Sequence, residues 1–491
     1  MTRCLHPATL AALPSSVAVP RYDRAALDIG IVHMGLGAFH RAHQAVYTDD
    51  ALNRAVGPWG ICGVSLRSPE TRDALAPQDW LYSVTERAGD GDRQRIIGAL
   101  REALVAPEDP AAVLDRLTRP SVRIVTITVT EKGYCHKPAS GALDEAHPGV
   151  RHDLDRPHEP RTLPGFLVEA LDRRRGAGVA PFTVLSCDNL PSNGKVVAGI
   201  LRDLADLRDP ALARWIEDQV ACPSTMIDRI VPATTDADRD AVAMALGLVD
   251  ASPVVTEPFS QWVFEDRFPS GRPAWEAEGA EPVADVAPYE EMKLRLLNAS
   301  HSCIAYLGYL AGCETVADTI ADPDFARFVR ALMDEEVTPT LHLPPGADVG
   351  SYKAALVARF ANTALRHRTW QIAMDGSQKL PQRLLATIRD RRAAGQPFER
   401  LALGVAAWMR YATGTDEQGR PIDVRDPLSA RFAAIAAEAG RAPAVLVPAF
   451  LALREVFDPA LAADAAFSTA VTEWLERLYG KGARACVAAA A

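Results

Sequence analysis

Three polar residues interrupt an apolar helix in the stretch MKLRLLNASHSC, Met292 to Cys303: Lys293, Asn298 and His301. At about 100° per residue, with Lys293 as the origin, His301 falls at about 80° and Asn298 at about 140°. The trio therefore shares one arc, surrounded by Leu294, Leu296, Leu297, Ile304, Ala305, Leu307 and Leu310. Each residue alone has an ordinary explanation: a snorkelling lysine, a capping asparagine, a satisfied core histidine. Together they suggest chemistry. A lysine withdrawn from water has a lowered pKa and can exchange a proton near neutral pH. An asparagine amide can donate a hydrogen bond to a developing alkoxide. That is the proton half of an alcohol–carbonyl interconversion. His301 is placed to orient the lysine or to bind a neighbouring hydroxyl. Asn189, in SCDNLPSNG just past a strand end, is expected to converge on the same oxygen.

The hydride half needs a carrier. The segment IGIVHMGLGAFHRAHQ puts Gly35 and Gly37 directly after a predicted strand and before a helix. This is the G-x-G portion of a dinucleotide fingerprint. Gly35 permits the tight turn, Gly37 lets the backbone approach a pyrophosphate, and Phe39 lies in the same turn-to-helix segment. The third glycine position is filled by His40, so the fingerprint is incomplete. The second strand ends in GVSLRSPE, with Arg67 where a ribose-binding acid would stand. An acid there suggests NAD and an arginine can accommodate a 2′-phosphate, so these residues leave the choice open; NAD is the leading expectation, with NADP not excluded. A later strand ends in TVTEKGY, which sets Thr128 and Glu131 on the nicotinamide side of the crevice, because ligands sit at strand carboxyl ends.

These groups need elements to hold them. Of 491 residues, 48% are hydrophobic and 24% charged, with a net charge of −10. Such a chain is long enough for two domains, and its acidity disfavours nucleic acid as a partner. Eight cysteines occur with no CxxC pair, which predicts free thiols and no zinc site. No apolar run reaches the roughly 18 residues of a membrane span, so a cytoplasmic protein is expected. Strands are predicted over Ile29–Met34, Trp59–Leu66, Val122–Thr130, Pro181–Cys187 and Met226–Val231, alternating with helices such as AVLDRLT and GFLVEALDRRRGAG. That alternation predicts a doubly wound, mainly parallel α/β sheet. The polar stretch from Cys135 to Pro164 is read as a surface excursion, and its first part, CHKPASGALDEAHPG, as a mobile cover. Beyond residue 285 the sequence turns Ala- and Leu-rich with helical spacing, including KAALVARFANTALRHRTWQIAM, LPQRLLATIRDRRAAG and AAFSTAVTEWLERLYG. The predicted domains are thus 1–285, Rossmann-type, and 286–491, mainly helical. Tyr289 and Lys293 form Y-x-x-x-K, the pair of short-chain dehydrogenases, but too late in the chain for such an enzyme. We read that pattern as coincidence.

These motifs resemble the mannitol dehydrogenase family of long-chain polyol-specific dehydrogenases. GLGAFHRAHQ is similar to its cofactor turn, STMIDRIVP to its S-x-V-D-R-I-x-P signature with Ile227 for valine, and KLRLLNASH to its K-x4-N-x2-H helix. The resemblance covers nearly the whole chain. It implies a Rossmann-type domain followed by a helical one. It also implies Lys293 as general acid/base, Asn189 and Asn298 polarising the carbonyl, His301 and Asp228 arranging the site, and no metal. TVTEKGYC, VLSCDN, EPFSQWVFED and LRHRTWQIAMDGSQKLPQRLL are most similar to the branch that reduces D-fructuronate to D-mannonate. Polyol members of the family carry an arginine near Gln371. A sugar-acid substrate calls for a cation at its far end. RHRTWQIAMDGSQKLPQR supplies Arg366, Arg368, Lys379 and Arg383, from which Arg368 and Lys379 are selected, with Gln371 in the same block. A mannitol- or arabinitol-type dehydrogenase and a non-catalytic nicotinamide sensor are the alternatives. The resemblance leans to a monomer, with weak self-association open.

Overall fold

The computed structural model describes residues 3–89, 91–137, 141–344 and 346–491. The chain divides into two compact units, Met1–Ala287 and Pro288–Ala491.

The strands of the first unit are β1 (Ile29–Met34), β2 (Gly60–Ser65), β3 (Tyr82–Glu86), β4 (Arg93–Ile97), β5 (Leu100–Val105), β6 (Ile124–Ile127), β7 (Thr183–Ser186), β8 (Thr225–Asp228), β9 (Val254–Thr256), β10 (Gln261–Glu265) and β11 (Glu281–Val283). The main sheet has the order β5-β2-β1-β6-β7, and every pairing in it is parallel. All residues of β2, β6 and β7 are buried, as expected of strands covered by helices on both faces. The chain runs outward from β1 to β2 and β5, then crosses back to β6 on the other side of β1. That reversal is a topological switch point, where ligands of open α/β sheets bind. Met34 is in register with both Val64 and Ile127, so the carboxyl ends of the three strands are level.

The strand expected at Met226–Val231 forms as β8, but outside the main sheet. It runs antiparallel to β10 in a sheet of order β11-β10-β8, and β4-β3-β9 form a further sheet. β5, with the sequence LREALV, has the composition of a helix. Its pairing with β2 overrides that propensity.

The excursion after Cys135 is anchored in its described part; residues 138–140 lie outside the described residues. It carries a helix, Pro148–Asp155. Leu143, Val150 and Leu163 are buried with Phe166, Val197 and Leu201 in the core. The Asp153 carboxylate accepts hydrogen bonds from Arg161 N at 2.8 Å, Thr162 N at 2.9 Å and Thr162 Oγ1 at 2.6 Å. These contacts pack the excursion from Leu143 onward, while the cover expected over residues 135–149 falls partly on residues 138–140, outside the described residues.

The second unit is helical, around a core that includes Leu296, Leu307, Leu384, Trp408, Phe450 and Leu475. The stretch expected as one helix through KAALVARFANTALRHRTWQIAM is broken. A helix spans Val349–Phe360, a single turn Thr363–Leu365 and a second helix Thr369–Ala373. Asn362 caps the single turn by accepting from Ala364 N at 3.0 Å. Arg366 then takes φ 46°, and Val316 N donates to His367 O at 2.9 Å. The break sends His367 inward and leaves Arg366 and Arg368 outside. Among the described residues no helix is long and apolar enough to cross a membrane. All eight cysteines are free thiols.

Losing the hydrogen bonds to a buried carboxylate costs about 2–3 kcal/mol. Asp153→Ala should therefore raise tryptic cleavage after Arg151 and Arg161 at least about tenfold, through local opening. An unchanged digestion pattern would show that other contacts hold the segment.

Candidate active site

In the first unit the predicted cofactor residues collect at the carboxyl edge of the main sheet. Gly35 has φ 102°, and a Cβ there would lie 2.1 Å from Thr128 O. Only glycine fits, because β1 and β6 are in contact at that point. Gly37 differs: a Cβ there would meet nothing nearer than Gly35 O at 3.7 Å. Its backbone is exposed, which suits close approach by a ligand rather than packing. A cradle of this kind fits a pyrophosphate. The following helix spans only Ala38–Ala42 before a second begins at Gln44.

Under the turn, His33 bonds to Thr126 Oγ1 at 2.8 Å, Thr128 Oγ1 at 2.8 Å and Gly35 O at 3.1 Å. The His40 ring stacks on it, with centroids 3.4 Å apart. His40 thus fills the space between helix and strand that the missing third glycine would have left open. Burial pushes His33 down to about 3, so both rings are neutral structural groups.

At the other side of β1, Asp188 fastens the end of β7 to the end of β6. Its carboxylate accepts from Val129 N at 2.9 Å, Thr130 N at 3.1 Å and Tyr134 Oη at 2.7 Å. It holds Thr130 at φ 66°, ψ 166°, a strained conformation for a β-branched residue. Glu131 and Asn189, both exposed, flank this clasp. Sequence reasoning passed over Asp188; its signal was an acid placed between a strand end and the asparagine of interest. Arg67 is exposed beyond β2, and Phe39 is partly buried in the glycine turn. Asp228 closes β8 and is 6% exposed. The neighbouring Arg229 donates to Ala42 O at 2.6 Å and to the Glu86 carboxylate at 2.6 Å, tying β8 to the helix after the glycine turn.

In the second unit, Lys293 is 6% and His301 7% exposed. The helix is not the uniform α-helix assumed for the wheel. Lys293–Asn298 is a π-helix, with Ala299 N donating to Leu294 O, and α-helix resumes over Ala299–Leu310. A π-turn holds more residues than an α-turn, so the angle between Lys293 and Asn298 is smaller than the roughly 140° of a regular helix. The widened turn narrows the arc that the trio would span in an α-helix.

His301 packs on Phe360 at 4.8 Å and edge-on to His367 at 5.6 Å between ring centroids. Burial holds its pKa well below the usual histidine range, reinforced by His367, Arg359, Arg383 and Lys293. His367 is pushed down to about 4, by burial and then by Arg359 and Lys379. Arg383 joins this group from a second π-turn, Pro381–Leu385. Its Nη1 donates to Ser302 Oγ at 3.2 Å and Asn298 O at 3.4 Å.

The chosen substrate residues sit differently. Arg368 keeps its side chain 57% exposed, 3.7 Å from Glu314. Gln371 is exposed at the start of the next helix. Lys379 Nζ donates to Met374 O at 2.5 Å and Ile372 O at 3.4 Å. The basic residue that the fold brings to the lysine helix is Arg383, together with Arg359 and His367. Sequence alone did not separate them from their exposed neighbours. Among the described residues no group of three or more His, Cys, Asp or Glu could hold a metal.

The glycine cradle at the switch point of the first unit fits a dinucleotide-binding oxidoreductase. Residues 29–277 match the mannitol dehydrogenase Rossmann domain and residues 285–479 the mannitol dehydrogenase C-terminal domain, and the chain belongs to the mannitol dehydrogenase family. It is 49% identical to D-mannonate oxidoreductase of Escherichia coli over 96% of this chain and 98% of that protein. It is 50% identical to the uncharacterized oxidoreductase YeiQ of the same organism, over 96% of each. Among solved structures it is similar to Pseudomonas fluorescens mannitol 2-dehydrogenase in a ternary complex with NAD and D-mannitol, with 41% identity, TM-score 0.89 and 98% of each chain covered.

Two expectations follow. Gly35→Ala should lower both stability and NADH affinity. Gly37→Ala should leave the urea midpoint unchanged while weakening NADH binding at least about tenfold, if its role is close backbone approach. Fluorescence titration with NADH checks both, and equal losses of stability in the two variants would contradict the separation. Second, the buried histidines refuse protons that an unfolded chain accepts below about 6.5. The unfolded state therefore binds more protons, and stability falls as pH drops. Urea midpoints should decline from pH 6.5 to 5, above the range of paired carboxylates. A flat profile would show that these histidines charge in the folded state.

Proposed function

We propose that this chain catalyses the reversible, NAD-dependent reduction of D-fructuronate to D-mannonate. Its membership of the family makes it an oxidoreductase with NAD as cofactor. The observation that carries the chemistry is the burial of Lys293 one π-turn from Asn298 and beside His301. The choice of substrate is supported by the near full-length likeness to D-mannonate oxidoreductase and by the basic groups around the lysine helix.

Gly35, Gly37, Phe39, Arg67, Thr128 and Glu131 are the residues proposed to hold the dinucleotide. When bound, the reduced nicotinamide supplies a hydride to the keto carbon. Lys293, as the ammonium, releases a proton to the carbonyl oxygen as that carbon is reduced, and takes it back in the oxidative direction. The Asn298 and Asn189 amides donate hydrogen bonds to the same oxygen, which stabilise the charge it gains. His301, kept neutral by its surroundings, orients the lysine or accepts a substrate hydroxyl. Asp228 steadies the site from β8, and Arg368, Gln371 and Lys379 are candidates for the distal end of the substrate.

A polyol substrate is the second reading, favoured by the likeness to the mannitol 2-dehydrogenase complex. One assay separates the two. NADH oxidation should be faster with D-fructuronate than with D-fructose, and a preference for fructose would overturn the uronate reading. Lys293→Ala should abolish turnover while NADH still binds; undiminished turnover would remove Lys293 from the acid–base role, and NADH binding by the wild type with no turnover on either substrate would favour a nicotinamide sensor. Tyr289→Phe should keep most of the activity, and its near-total loss would move the acid–base role away from Lys293 acting alone.

A further inference from the structure

Arg383 is an arginine without an acid. The structure gives it no carboxylate partner among the described residues. Of its five N–H donors, only those on Nη1 find acceptors, at Ser302 Oγ and Asn298 O. Burial lowers its pKa to about 10, an unfavourable state for a lone guanidinium. Beside it His301 makes ring contact with His367, whose Nδ1 is buried with no hydrogen-bond partner. Arg383 itself is partly buried, so its remaining donors stay within reach of a ligand, and the unpartnered His367 nitrogen beside them marks either a tolerated cost or the place of a missing ligand.

We propose that Arg383 binds the carboxylate of the sugar-acid substrate and is the residue that selects acids over neutral ketoses. This rests on the uronate reading above and revises the selection of Arg368 and Lys379. Arg368 already faces Glu314 in solvent, and Lys379 donates to backbone carbonyls. Arg383 offers an unused planar fork, which matches a carboxylate. It also bonds to the helix turn that carries Asn298, so the group reading the acid end touches the element that handles the ketone. The carboxylate supplies the negative charge that the fold withholds.

The test uses the full chain as wild type, Arg383→Gln and Arg383→Lys. Each is assayed for NADH oxidation with D-fructuronate and D-fructose, and titrated calorimetrically with D-mannonate and D-mannitol. For Arg383→Gln, the ratio of kcat/KM for the acid over the neutral substrate should fall about thirtyfold, as for loss of a charged hydrogen bond, chiefly through KM. Mannonate affinity should fall by a similar factor. Arg383→Lys keeps the charge but not the fork and should lose less, about threefold in the same ratio. Equal losses on acid and neutral substrates would make Arg383 only a clamp on Asn298 and overturn the proposal. If Arg383→Gln fails to fold, an unchanged ratio in Arg383→Lys overturns it equally. A wild-type preference for fructose defeats the uronate reading instead. The calorimetric arm then decides the carboxylate contact alone: mannonate binding more tightly than mannitol, with the advantage lost in the variants, supports it, and equal binding overturns it.

Discussion

Charge kept out of water is the constraint on which the helical unit is built. A cation in an apolar core is tolerated only with partners or with a distorted environment that supplies them. Here Lys293 and a neutral His301 share the interior with Leu296, Leu297 and Leu307, each of these leucines no more than 2% exposed, and the partly buried Arg383 lies beside them. The helix answers by widening. Its π-turn carries Lys293 at one end and Asn298 at the other, and another π-turn brings Arg383 to the Asn298 carbonyl. The leucines that stabilise the unit are thus the same groups that hold Lys293 and His301 away from bulk solvent.

The first unit solves a different problem with different means. Its reactive edge is exposed, so precision has to come from ties rather than burial. Asp188 clasps the ends of β6 and β7, Arg229 ties β8 to the helix after the glycine turn, and the His33–His40 stack supports the turn from below. The strain at Thr130 is held by a backbone hydrogen bond to the same carboxylate that anchors Tyr134. Such pre-organisation is what a site for a large, flexible dinucleotide requires.

The parallel strands β1, β2, β6 and β7 were legible because burial on both faces leaves continuous β-branched runs. The other strands were not: β5 has a helical composition, and β3, β4, β10 and β11 lie in small sheets completed by distant segments, β9 beside β3 and β8 beside β10. The lysine trio was legible from residue type, but its true geometry was not, because wheel arithmetic assumes a regular helix. Arg383 could not be told from Arg366 and Arg368 in a basic run. What separates them is a backbone break at Arg366, a left-handed residue whose need arises from tertiary contacts with Glu314 and Val316. Asp188 was hidden for a similar reason, since a lone acid after a strand has no signature until its acceptor geometry is seen.

The π-turn also bears on how such a site could arise or vanish. A π-turn is an α-helix with one residue added. Deleting any one residue between Lys293 and Asn298 would restore a regular ladder with every backbone group paired. A π-turn absorbs that extra residue locally, so the shortened helix would hold Lys293 seven residues before His301, about 20° apart at about 100° per residue. A single inserted residue can thus widen the turn that carries these candidate groups while the helix on either side keeps its packing, which makes insertion, as much as substitution, a route by which a chain of this architecture reshapes the lining of such a site.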